Sequence, residues 1–307
     1  MTYIEKLKHS AEKVGHIACL GLDPMVKWLP KGYSVKGIKG FPEFLDAIYR
    51  EMIERGLSPA AVKPNDAFYF YHNIPAARES QRWDGYNALA DVIAITHEFF
   101  PDVPVILDVK REDIGSTAEM YAAGCCRWDV EAVTIGPYLG RDSMGEFLKK
   151  KQLGAYALVR TSNKSAEDFQ SLPVKVYLGD PYEHATQPLY MAVLDHLLYE
   201  EYANGIGAVI GATSLREFEI CLRAIGLSRR EVPLLIPGVG TQGGSAPEIM
   251  EALRVTNYNL SLARINSSSG ITHPWKSDPI WKDGGAPPDA VKLAVDAFEK
   301  LAEECAL

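Results

Sequence analysis

The chain has 307 residues, of which 47% are hydrophobic and 23% charged, with 25 glycines and 19 prolines. This ordinary globular composition supplies ample core and excludes low-complexity disorder, collagen and coiled coil. Forty acidic against 32 basic residues leave a net charge of −8, without a basic stripe, so neither a nucleic-acid nor an anionic-membrane partner is expected.

No apolar run approaches the ~20 residues of a membrane span. The opening Met1-Thr2-Tyr3-Ile4-Glu5-Lys6 lacks the basic-then-apolar pattern of a signal peptide, so a cytoplasmic location is expected. The five cysteines (Cys19, Cys125, Cys126, Cys221, Cys305) show no CxxC spacing and the seven histidines are scattered singly. Neither a disulfide framework nor a metal site is expected.

In chain order, short apolar runs fall at 16–22, 60–62, 104–107, 132–135, 155–159, 207–210, 234–236 and 260–265. They are nearly continuous rather than alternating, as in strands buried on both faces of a parallel sheet. Between them, helical spacing covers 41–55, 85–99, 116–125, 143–150, 186–203, 215–225, 246–253 and 288–303. About eight β-then-α units predict a closed α/β barrel of the (β/α)8 TIM type, with a doubly wound open sheet as the alternative. No linker divides residues 1–307, which read as one domain. Segments 24–40 and 161–183 are long for connecting loops and follow strands, which makes them candidate lids.

Several runs end in polar residues: Gly21-Leu22-Asp23-Pro24, Val62-Lys63-Pro64-Asn65, Leu107-Asp108-Val109-Lys110 and Val159-Arg160-Thr161-Ser162-Asn163. In a barrel such ends converge on one mouth, so Asp23, Lys63, Asp108, Lys110 and Ser162 share a candidate site. At i, i+2 on a strand, Asp108 and Lys110 face the same way. A carboxylate beside a buried ammonium stabilises both charges, and Lys63 extends the pair into a network of alternating charge. Asp113, entering the next helix, either caps it or reaches a neighbouring subunit. Pro237-Gly238-Val239-Gly240-Thr241-Gln242-Gly243-Gly244 satisfies GxGxxG formally but follows the seventh predicted strand. That position fits a barrel's phosphate loop better than a dinucleotide fingerprint. Asn266-Ser267-Ser268-Ser269-Gly270 adds hydroxyls and donors at the same place, or serves as a plain helix cap.

These residues resemble the orotidine 5′-monophosphate decarboxylase family in its longer variety, across nearly the whole chain and in motif order. The likeness rests on Gly21-Leu22-Asp23-Pro24, Lys63-Pro64-Asn65, Leu107 through Thr117, Pro137-Tyr138-Leu139-Gly140, Arg160-Thr161-Ser162-Asn163, Gly211-Ala212-Thr213 and the glycine loop. It implies cofactor-free conversion of orotidine 5′-monophosphate to uridine 5′-monophosphate. Lys110 is then the general acid, Asp108 faces the departing carboxylate, and Lys63 completes the charged network with Asp113 of the partner subunit in a homodimer. Asp23 holds ribose hydroxyls, with Asp113 and Thr117 reaching across the interface. Ser162 recognises the pyrimidine, Asn65 and Asn163 contact substrate, and Gln242 with the amides of Gly240 and Gly243 holds the phosphate.

One position departs from the resemblance. Ser269 stands where the family carries a phosphate-gripping arginine, a loss worth roughly 3–5 kcal/mol of transition-state binding. Arg264, Lys276 or Lys282 would have to fill in. Two alternatives therefore remain open: a sugar-phosphate decarboxylase or lyase on the same barrel, and a catalytically weakened nucleotide-binding barrel.

Overall fold

The computed structural model describes residues 1–75, 81–149, 153–177, 184–199, 206–240 and 243–307. Its strands, in chain order, are β1 (Ala18–Leu22), β2 (Ala61–Pro64), β3 (Ile106–Arg111), β4 (Ala132–Ile135) and β5 (Gly154–Arg160). An antiparallel hairpin follows, β6 (Pro173–Tyr177) and β7 (His184–Pro188), and then β8 (Ile206–Ile210), β9 (Leu234–Ile236) and β10 (Ala263–Ser267). All but the hairpin form one parallel sheet in the order β2-β1-β10-β9-β8-β5-β4-β3. Its two ends meet through parallel bridges Val62–Val105 and Asn65–Asp108 and a Val62 N–H bond to Pro104 O at 3.0 Å. The result is a (β/α)8 barrel.

A helix follows each barrel strand: Gly40–Glu54, Asp84–Phe99, Gly115–Cys125, Arg141–Leu148, Leu189–Tyr199, Leu215–Ser228, Ala246–Val255 and Ala290–Glu304. Most bounds fall close to those expected from helical spacing. The fifth does not: residues expected to open it at 186 belong instead to β7, whose Thr186 and Gln187 pair with Lys175 and Val174. The end of that expected helix, 200–203, lies outside the described residues, as does residue 150. Among the described residues no helix is long and apolar enough to cross a membrane.

The polar opening segment proves to be a helix, Tyr3–Val14, started by a capping box in which Thr2 and Glu5 satisfy each other's backbone N–H groups. Its apolar side closes the amino end of the barrel. Tyr3 and Leu7 pack into a buried cluster with one residue from each neighbouring strand, including Cys19, Ala61, Ile106, Ala132 and Tyr156. Tyr3 and Tyr156 share a hydroxyl contact of 2.5 Å. With that end filled, only the carboxyl ends of the strands are open for chemistry.

Segment 24–40 holds short helical turns, Val26–Trp28, Lys31–Ser34 and Gly37–Lys39. It is tied to the segment after β10: Trp28 Nε1 donates to Trp281 O, Trp275 Nε1 donates to Trp28 O, and Gly285 N–H donates to Lys27 O. These bonds tie the expected lid segment 24–40 to the segment after β10. In segment 161–183 the turn Lys164–Ala166 and helix Glu167–Gln170 lead into the hairpin; residues 178–183 lie outside the described residues.

Arg264 is fully buried. Its guanidinium donates to the carbonyls of Ala60 (3.0 Å), Ser261 (3.0 Å), Ala263 (2.7 Å) and Leu7. Those partners lie at the filled amino end, so Arg264 cannot reach the open mouth and does not fill in for Ser269. Replacing Arg264 with alanine would strand four carbonyls and open a cavity. We expect it to cost about 3–5 kcal/mol in urea unfolding; a variant as stable as wild type would contradict this structural role.

Candidate active site

Alternation along the strands builds the mouth. Cys19, Ala61, Ile106 and Ala132 point into the filled end of the barrel. Side chains of a strand return to the same face every second residue. The same parity therefore carries Lys63, Asp108 and Thr134, two residues on, into the open end, and Asp23 four residues on. Position 21 between them is glycine because Ser268 passes close: a Cβ there would sit 2.0 Å from Ser268 Oγ.

Asp108 is the hub. Its Oδ2 accepts from Lys63 Nζ at 3.1 Å, and its Oδ1 accepts from Lys110 Nζ at 2.5 Å and from Thr134 Oγ1 at 2.8 Å. Thr134 Oγ1 in turn accepts the Lys110 N–H at 3.0 Å. Thr134 was not singled out from sequence, though the signal was there: a lone hydroxyl in an apolar run, on the inward parity. Asp108 and Lys63 are buried, at 8% and 4% exposed, whereas the Lys110 side chain is 50% exposed.

The Asp108–Lys110 pair does not arise from regular strand alternation, as the i, i+2 spacing implied. The β3–β4 register shifts between Leu107 and Arg111, and Lys110 adopts a left-handed backbone with φ 45°. For a residue with a Cβ this conformation costs about 1–3 kcal/mol and persists only where the surroundings enforce it. Here Thr134 and Asp108 hold the residue at both its backbone and its side-chain end.

The charges set each other's protonation. Burial alone would raise the Asp108 carboxyl, but Lys63, Lys110 and the Thr134 hydroxyl outweigh it and hold Asp108 well below the usual carboxylate range. Burial likewise opposes the Lys63 ammonium, yet Asp108 and Asp23 hold its proton more tightly than in an ordinary lysine. Asp23 goes the other way: burial pushes its carboxyl up, against the pull of Lys63 and a hydrogen bond from Ser268. Its Oδ1 is buried without a hydrogen-bond partner among the described residues. Such an acceptor calls for a donor from a ligand.

These groups line a cavity of about 450 Å³. Asp23, Lys63, Asp108, Lys110 and Thr134 form its charged side, and Leu158, Val209 and Leu235 an apolar side. Asn65, Ser162 and Asn163 line it as well, as do Gly238, Val239 and the segment from Asn266 to Ser269. The cavity thus gathers all five strand-end residues that the sequence places in one site.

Other expected residues lie elsewhere. Asp113 accepts from the Ile114 N–H at 2.8 Å, and Thr117 is exposed on the outer helix; neither lines this chain's cavity. Gln242 lies outside the described residues. The amides expected to grip phosphate are already used: Gly240 N–H donates to Gly244 O at 3.0 Å and Gly243 N–H to Gly240 O at 2.9 Å. Gly240 has φ 84°, a conformation glycine adopts without a Cβ penalty. Ser269 contacts Lys276, whose Nζ donates to its Oγ.

The sequence model of the Orotidine 5'-phosphate decarboxylase / HUMPS family matches residues 19–257. Orotidine 5'-phosphate decarboxylase of Halobacterium salinarum is 33% identical over 285 residues, covering 92% of this chain and 93% of that protein. The same-named protein of Dehalococcoides mccartyi is 33% identical over 305 residues, 98% of this chain and 99% of its own. Among solved structures, the OMP decarboxylase of Leishmania donovani is 25% identical with a TM-score of 0.69, covering 99% of both chains.

The Asp108 hub makes a prediction about acid stability. Its folded carboxyl loses its proton more readily than the unfolded one. Its stabilisation is therefore complete above the unfolded value of ~3.9 and fades as pH falls below it. Asp108→Asn would leave Lys63 buried without its carboxylate and should cost about 3–5 kcal/mol at pH 7. The gap to wild type should narrow as pH falls below about 4. Urea unfolding across pH checks both; equal stability at pH 7 would contradict the hub's role.

Proposed function

The chain belongs to the orotidine 5'-phosphate decarboxylase / HUMPS family, and we infer that it converts orotidine 5′-monophosphate to uridine 5′-monophosphate and carbon dioxide, a step of pyrimidine nucleotide synthesis. The observation that carries the reading is the relay Lys63–Asp108–Lys110, with its outer ammonium half exposed beside an apolar wall. The sugar-phosphate alternative is not favoured, since the relatives described above are named decarboxylases of this nucleotide.

The chemistry demands such a group. The bond from the pyrimidine ring to the carboxylate breaks, its electron pair stays on an sp² carbon, and the ring offers no good sink. Lys110 stabilises that pair as it develops and then delivers a proton to the same carbon, so no cofactor is needed. Asp108 holds Lys110 protonated and opposes the substrate carboxylate, a repulsion relieved as carbon dioxide leaves. Lys63 keeps Asp108 ionised. The apolar side formed by Leu158, Val209 and Leu235 receives the ring, Ser162 reads its edge, and Asn65 and Asn163 make further contacts. Asp23 meets the ribose hydroxyls, a role its unpartnered Oδ1 supports. Gln242 belongs to the phosphate end.

The active form in this reading is a cytoplasmic homodimer of one-domain chains, with Asp113 and Thr117 reaching the partner's cavity. Supporting it, Ile114, Met120 and Tyr121, close to these residues in sequence, are exposed large hydrophobics. A smaller pocket lined by Phe70, Tyr86 and Arg111 also shares Asn65, Asp108 and Lys110 with the main cavity. An apolar face bordering a charged site suits a partner subunit.

The chain should consume orotidine 5′-monophosphate, followed by absorbance, at a rate that a chelator leaves unchanged. Lys110→Ala should lower kcat by at least ~10²–10⁴-fold, the range for lost general acid catalysis; full turnover would overturn its assignment. Lys110→Ala and Asp113→Ala chains, each inactive alone, should regain activity when mixed, with about a quarter of sites intact in random dimers. Full activity of the Asp113→Ala chain alone would remove the shared site.

A further inference from the structure

The decarboxylase reading, on which this inference rests, gives the ligand a phosphate at the end remote from its reacting carbon. Among the described residues, the cavity lining contributed by the loop after β9, the end of β10 and the loop after it is uncharged: Pro237, Gly238, Val239 and the run from Asn266 to Ser269. The Gly240 and Gly243 amides are bound within their own turn. Arg264 is buried at the opposite end, with four of its five N–H donors bound to carbonyls. Lys282 is exposed on the outer turn. A dianionic group placed there without a cation would pay a desolvation penalty that nothing offsets.

One ammonium stands just behind that lining. Lys276 lies in the turn Pro274–Ser277, directly after the short helix Ser269–Thr272. The neighbouring Trp275 anchors the turn: it is buried, and its Nε1 bonds to the carbonyls of Trp28 and Gly285. The Lys276 N–H bonds to His273 O at 3.1 Å. Its Nζ donates to Ser269 Oγ and forms no ion pair among the described residues. A partly buried ammonium with a single neutral acceptor keeps two N–H donors for an anion. Burial pulls its proton affinity below that of an ordinary lysine, while the Asp23 carboxylate across the cavity pulls the other way.

We propose that Lys276 is the phosphate-binding cation of this chain and works through a shared hydrogen bond with Ser269. Ser269 Oγ accepts from Nζ and donates its own proton to a phosphate oxygen, while the remaining Nζ donors contact the phosphate directly. Lysine and serine together cover what one arginine at 269 would supply. They hold the anion as a point charge plus a hydroxyl rather than by a planar fork.

Calorimetric titration of uridine 5′-monophosphate and of uridine separates phosphate binding from recognition of the nucleoside. Lys276→Ala should weaken the monophosphate about 10- to 100-fold, as expected for a lost charged hydrogen bond, and leave uridine unchanged. Ser269→Ala should lose less, and Ser269→Arg added to Lys276→Ala should restore the monophosphate. The proposal falls if wild type binds the two ligands equally, if Lys276→Ala binds the monophosphate like wild type, or if uridine weakens in parallel. It falls also if the added arginine brings no rescue. A chain with the expected binding pattern but no turnover of orotidine 5′-monophosphate would sink the decarboxylase reading and leave this one standing.

Discussion

A single buried carboxylate shared by two ammonium groups sets the terms for the rest of the molecule. Asp108 sits in a region too dry to hold a lone charge, and Lys63 and Lys110 keep it ionised there. Such buried networks seldom add net stability over a well-packed apolar core. Lys110 also carries a left-handed backbone that costs energy of its own. A fold maintains both expenses where the arrangement serves chemistry, and here the outer ammonium is the part left open to a ligand.

The barrel supplies what that network needs. Its amino end is closed by the helix Tyr3–Val14 and by the Arg264 carbonyl cluster, so the charges cannot be relieved from below. The bulge in β3 turns Lys110 onto Asp108, and Thr134 on β4 bonds to both residues. Tryptophan hydrogen bonds tie segments 24–40 and 274–285 together. A charged side facing an apolar side constrains how a ligand can lie. Orientation of that kind is worth several kcal/mol of barrier without any new contact at the reacting atom.

Much of this is legible from the sequence because strand periodicity is strict. A polar residue on the inward parity at the end of an apolar run has one place to go, and Asp23, Lys63 and Asp108 go there. What fails to show is whatever depends on hydrogen bonding across the fold. Thr134's inward parity points it to the mouth but not to the Lys110 backbone that it bridges, and the glycine loop gives no sign that its amides close on themselves. The opening helix hides because its apolar residues are few and its burial comes from a barrel end that exists only once the ring has closed. The hairpin β6–β7 hides for the same reason, since pairing between residues about ten apart overrides local helical spacing.

Position along the strand, more than residue type, decides what a cation does here. Arg264 and Lys276 follow one another across the same strand and the turn beyond it, and both could serve a phosphate on chemical grounds. Arg264 enters at the closed end, fully buried, where four carbonyls take four of its five N–H donors. It ties the closed end together, and its burial there keeps it from a ligand at the open mouth. Lys276 enters past the open end, partly buried, with one hydroxyl for company and donors to spare. Access to the open mouth separates a structural cation from a binding one, and that property belongs to the fold rather than to the side chain.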